Sequence, residues 1–110
     1  MSNQHIVRLA AFSAVLAVGA GAFGAHAVAG QPAEWLRTGA TYQLIHAVAA
    51  IALADRAPGA ARVLLAGAAL FALTLYAMAF GAPRWLGAVT PIGGATMIFG
   101  WVWLAFRPRG

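Results

Sequence analysis

Four long uncharged stretches, divided by small polar clusters, organise this chain. Residues 9–33 carry no charge and are followed by Glu34 and Arg37. Residues 38–54 are uncharged, then come Asp55, Arg56 and Arg62. Residues 63–83 are uncharged up to Arg84, and 85–106 up to Arg107 and Arg109. A bilayer core about 30 Å thick needs roughly 20 apolar residues per helix at 1.5 Å rise. Each run meets or nearly meets that length. The pattern predicts an all-α fold: an integral membrane four-transmembrane-helix bundle, forming a single membrane domain over residues 1–110. Its helices are expected at about 6–29, 32–54, 61–80 and 88–106.

Local chemistry places the boundaries. Arg8, an apolar run and Ala25-His26-Ala27 together resemble a signal peptide with its cleavage site. The run is long for such a leader, so it is read as a genuine first helix. Gln31-Pro32-Ala33-Glu34 puts proline in a first turn and an acid near the positive helix end. Trp35 and Arg37 are then expected at the membrane interface. Asp55-Arg56-Ala57-Pro58-Gly59 reads as a turn, and so does Gly81-Ala82-Pro83-Arg84-Trp85. Thr90-Pro91 reads as an N-cap with proline at the first helical position; a kinked helix starting nearer Trp85 is the alternative. Trp101 and Trp103 are expected towards the opposite interface.

Composition agrees. The chain is 63% hydrophobic and only 8% charged, against roughly 25% charged in soluble domains. Its mean hydropathy is +0.82. The net charge of +5 comes from scattered arginines. They form no basic stripe interleaved with aromatics, so no nucleic-acid partner is expected. With four spans, Arg8, Arg56, Arg62, Arg107 and Arg109 share one side, and Arg37 and Arg84 the other. That bias favours both termini in the cytoplasm. Cysteine is absent, which excludes disulfides, thiolate metal sites and cysteine nucleophiles.

Polar residues inside the spans carry whatever chemistry there is. Thr38, Tyr42 and His46 recur every four residues and share one face of the second helix, with Gln43 beside them. His26, Tyr76 and Thr90 stand near the non-cytoplasmic ends of the other three. Polar groups from all four helices are therefore expected in one half of the membrane. They form either a satisfied interhelical network or a shallow pocket open to the outer leaflet, lined by His26, Tyr42, His46 and Tyr76. The candidate ligand-binding set is His26, Tyr42, Gln43, His46, Tyr76, Thr90 and Arg84. The start of the fourth helix, with Arg84, suits an anionic head group.

No catalytic residues, metal site or cofactor are expected. His26 and His46 differ in depth by on the order of 7 Å at 1.5 Å per residue, which fits haem or metal poorly. No Ser-His-Asp arrangement or H-E-x-x-H motif occurs. Gly19-x-Gly21-x-x-Gly24 matches a dinucleotide pattern, but inside a membrane helix its glycines serve packing. The row Ala17, Gly21, Ala25 suits close helix contact within one bundle, or between copies. Small multidrug exporters share this length and span number, but they couple transport through a glutamate in the first helix, where this chain has none.

The motifs combine into a known pattern. Gly21-Ala22-Phe23-Gly24-Ala25-His26 closes the first span, and Tyr42-Gln43-Leu44-Ile45-His46-Ala47 opens the second. Leu70-Phe71 and Leu75-Tyr76 follow in the third. Trp85-Leu86-Gly87, Thr90-Pro91-Ile92-Gly93-Gly94 and Phe99-Gly100-Trp101 mark the fourth. Over residues 7–106 the chain resembles the small membrane proteins of domain-of-unknown-function family 423. The resemblance implies four spans, an uncleaved first helix and a bacterial inner-membrane location, and brings no established activity. The expected function is that of a non-enzymatic bundle binding membrane lipid or protein, with a homo-oligomer or a membrane-protein partner in view. The alternative is a small-molecule site for quinone, haem or a transported solute.

Overall fold

The computed structural model describes residues 3–107, all of whose long elements are helices. They are α1 (Gln4–His26), α2 (Gly30–Leu53), α3 (Pro58–Ala79) and α4 (Thr90–Phe106), with a short 3-10 turn at Arg84–Ala88 before α4. α1 thus begins two residues before its expected start and ends three before its expected end. α3 begins three residues early, at Pro58, which occupies a first-turn position and has no N–H to leave unpaired. The Cα atoms extend 47 Å along the longest axis, close to the roughly 40–45 Å of a bilayer with its head groups.

α1, α3 and the 84–106 segment are each long and apolar enough to cross a membrane. α2 is equally long, about 36 Å at 1.5 Å per residue. Its hydropathy is diluted by Gln43, His46 and the threonines. The bundle hides Gln43 and His46, at 2% and 5% exposure. α2 and α3 form the centre. α1 lies along α2, α4 lies along α3, and α1 touches α3 only lightly.

The core reverses the usual distribution of size. Its residues are mostly alanine, such as Ala10, Ala47, Ala50, Ala61 and Ala68, while Phe12, Val15, Ile98 and Phe99 face outward. Lipid tails are as apolar as leucine, so burying large side chains gains little, and close backbone approach holds helices together. Between α3 and α4 that approach runs through Gly67 and Gly93. A Cβ on Gly93 would sit 2.5 Å from the Phe71 nitrogen and 2.8 Å from the Gly67 oxygen. Between α1 and α2, a Cβ on Gly24 would lie 2.9 Å from the Leu36 Cβ. Gly21 faces Ala40, and Ala17 is buried, but Ala25 points outward. The contact row is Ala10, Ala17, Gly24 with Gly21 beside it, because a seven-residue repeat keeps the facing stripe aligned better than a four-residue one.

The turn after α3 is a Schellman motif. Gly81 adopts φ +105°. Its N–H bonds to the Met78 oxygen at 3.1 Å, and the Ala82 N–H to the Ala77 oxygen at 2.9 Å. Only glycine takes that backbone without strain. Thr90 does not cap α4. The cap position is Val89, and the preceding 3-10 turn already supplies the Leu86 carbonyl to which the Thr90 hydroxyl donates at 3.2 Å.

Candidate functional site

The predicted polar residues separate into three ties and three side chains outside them. The first tie joins α1, α2 and α3. The Tyr76 hydroxyl donates to Gln43 Oε1 at 2.6 Å, and Gln43 Nε2 donates to Ser13 Oγ at 3.0 Å. Helical side chains lean towards the helix N-terminus, so the Tyr76 ring descends from its end of α3 towards mid-membrane. Gly39 makes room for it: a Cβ there would meet the ring at 2.7 Å.

The second tie joins α2 and α4. The Trp101 indole donates to His46 Nε2 at 3.0 Å, and His46 Nδ1 lies 2.7 Å from the Tyr42 carbonyl. An indole N–H can only donate, so Nε2 is the acceptor and Nδ1 carries the proton given to Tyr42. His46 is therefore neutral with both nitrogens engaged. Trp101 faces His46 instead of anchoring at an interface, because that bond satisfies two polar groups inside hydrocarbon at once. The third tie joins α3 and α4. The Thr74 and Thr90 hydroxyls lie 2.7 Å apart, and Thr74 also reaches the Phe71 carbonyl at 2.9 Å.

Three predicted side chains stay out of the ties: His26, Arg84 and Tyr42, which is 45% exposed. His26 is exposed at the end of α1 and makes no side-chain hydrogen bond among the described residues. The Arg84 guanidinium stacks 5.6 Å above the Trp35 ring. His26, Tyr42, His46 and Tyr76 thus do not line one pocket. Nor do the ties gather in one half of the membrane. Gln43 sits 13 residues from Gly30 and 10 from Leu53, near the middle of α2, and His46 lies a turn further on. Among the described residues, every buried side-chain nitrogen and oxygen has a partner. No three His, Asp or Glu side chains of those residues group as metal ligands. Sequence reading missed Ser13 and Thr74. Each is a lone hydroxyl in an apolar helix, where only the pairing in space reveals a role.

The open space lies elsewhere. A groove of about 540 Å³ runs between α1 and α3, walled by Leu9, Phe12 and Leu16 on one side and Leu65, Ala66 and Ala69 on the other. His5 and Arg62 stand at its mouth. From Leu16 it continues as a second groove of about 480 Å³, past Gly19 and Leu73 to Phe23 and Phe80. Those two rings, 5.6 Å apart, stand at the far end. A smaller groove of about 300 Å³ lies between α2 and α4 over Phe71. Tyr42 lines it, 45% exposed, edge-on to Phe71 at 4.9 Å.

Residues 20–94 match the sequence profile of a family described as "Protein of unknown function (DUF423)". The chain is 38% identical over 107 residues to the UPF0382 membrane protein YwdK of Bacillus subtilis (strain 168), covering 86% of this chain and 87% of that one. It is 35% identical over 117 residues to a UPF0382 membrane protein of Haemophilus influenzae, covering 96% and 94%. It is 31% identical over 113 residues to the UPF0382 inner membrane protein YgdD of Escherichia coli (strain K12), covering 92% and 86%. No solved structure matches.

Proposed function

Starting from a chain that belongs to the DUF423 family of membrane proteins, we propose that it is a non-enzymatic bundle of the inner membrane that binds membrane lipid in the seam between α1 and α3. One observation carries this reading. The seam stays open while the polar groups of the interior are satisfied elsewhere. Its walls are apolar, as an acyl chain requires. A bundle held by glycine contacts could have closed this side too; here Leu9, Phe12, Leu16 and Leu65 stand along the seam beside Ala66 and Ala69. The arginine bias supports an orientation with the termini in the cytoplasm.

The test is native mass spectrometry of protein released from lipid nanodiscs. The expected result is retained phospholipid on the wild type, lost in Ala66→Phe, which fills the seam. It persists in Ala95→Phe, on the outward face of α4. Absence of retained lipid, or equal retention in Ala66→Phe, overturns the reading.

A small-molecule reading keeps one supporting observation. The Tyr42 hydroxyl has no hydrogen-bond partner among the described residues, although its helix position is near mid-membrane. An uncharged ring carrying a carbonyl acceptor, such as a quinone, suits the aromatic groove beside it. The haem version loses support, because ligation by His46 would require breaking its bond to Trp101. Tyr42→Phe tests this: weaker retention of an added quinone is expected, and unchanged retention contradicts it.

A further inference from the structure

The two ends of the α1–α3 seam differ in charge. At the end nearer the chain termini, Arg62 Nη2 donates to His5 Nε2 at 3.3 Å across the mouth. A guanidinium has five N–H donors, and this contact uses one. Among the described residues no carboxylate pairs with Arg62, and their salt bridge, Arg37 with Glu34, lies at the opposite membrane face. Arg8 follows His5 by one helical turn. Among the described residues the same face of the bundle carries Arg56 and Arg107, against one acid, Asp55. The first turns of α1 and α3 begin on this side, and neither has a side-chain cap, so their positive dipole ends add to the field. The other end of the seam is lined by the uncharged Phe23 and Phe80 rings.

Depth fits as well as charge. From Ile6 to Leu16 the groove follows ten residues of α1, about 15 Å at 1.5 Å per residue. That is about the thickness of one leaflet of a 30 Å core. Resting on the lipid-binding reading above, we propose that this half of the seam is a site for one anionic phospholipid. Its phosphate sits on Arg62 beside His5, and one acyl chain lies between Leu9, Phe12 and Leu65. The guanidinium offers the planar pair of donors that a phosphate diester accepts. The surrounding positive charge favours a head group with net negative charge over a zwitterionic one, whose cation would face Arg8.

The experiment compares retained lipid from nanodiscs of mixed phosphatidylglycerol and phosphatidylcholine. The wild type is expected to hold phosphatidylglycerol in excess over the bath ratio. Arg62→Gln should lower that preference about fivefold, the effect of roughly one basic side chain at a membrane surface, while still retaining lipid. Arg62 is exposed, so the change leaves the packed interior alone. Arg37→Gln, at the other membrane face, removes the same charge and should leave the preference as it was. Retention without preference in the wild type overturns the anionic site but leaves lipid binding standing. An equal drop in Arg62→Gln and Arg37→Gln, or no drop in Arg62→Gln, also overturns it. Loss of all lipid from the wild type overturns the parent reading as well.

Discussion

α3 is gripped on one side and left open on the other. Towards α4, Gly67, Gly93 and Gly100 bring the helices so close that a single added carbon at Gly93 would lie 2.5 Å from a backbone nitrogen. Towards α1, a groove of about 540 Å³ separates Leu9, Phe12 and Leu16 from Leu65. The same solvent surrounds both sides, so side-chain size and position make the difference. In lipid, large apolar residues gain little by leaving the solvent, and only backbone proximity and hydrogen bonds hold helices together. α1 spends its small residues, Ala10, Ala17, Gly21 and Gly24, on α2. Leu9, Phe12 and Leu16 stand along α3 instead, and the seam follows.

Substitutions can break or sharpen this contrast. Gly93→Val should be the most damaging, costing about 3 kcal/mol through forced separation of α3 and α4. Thermal unfolding in lipid would show it, and an unchanged midpoint would contradict the close approach. Next comes Tyr76→Phe. It leaves Gln43 Oε1 buried without its donor and should cost about 1–2 kcal/mol. A double-mutant cycle with Gln43→Leu should show coupling between the two positions; simple additivity would mean that the tie carries no energy. Trp101→Phe releases His46 Nε2 and should cost about 0.6 kcal/mol, the average for such bonds in membranes. Proton exchange at the His46 ring, followed by NMR, should speed up in that variant, and an unaltered signal would argue against the bond. Smallest in stability is Ala66→Phe on the open side, expected within about 0.5 kcal/mol of wild type. A destabilisation like that of Gly93→Val would mean that the seam is packed.

Much of this was legible in the sequence, for identifiable reasons. Uncharged runs set the spans because a charge inside hydrocarbon is costly, and Gly81 marks the end of α3, whereas Pro58, read as part of the preceding turn, begins it. Tyr76, Gln43 and His46 stood out because polar side chains in a membrane need partners. Their partners did not stand out: Ser13 and Thr74 look like any lone hydroxyl, and Trp101 resembled an interfacial anchor. Depth was misjudged where side-chain length matters, since Tyr76 reaches from the end of α3 to the middle of α2. The seam was invisible. It depends on which stripe of α1 meets α2, and the row containing Ala25 pointed to a stripe rotated from the one that Gly24 uses.

The most direct test of a lipid-filled seam is photocrosslinking with a phosphatidylglycerol carrying a diazirine on its acyl chain, with labelled positions mapped by peptide sequencing. Labelling should concentrate at Leu65, which is only partly exposed, and at Leu16, 46% exposed, above that at Ile98 and Phe99, which are 66% and 59% exposed on α4. Labelling that simply tracks exposure, stronger at Ile98 and Phe99 than at Leu65 and Leu16, would contradict it.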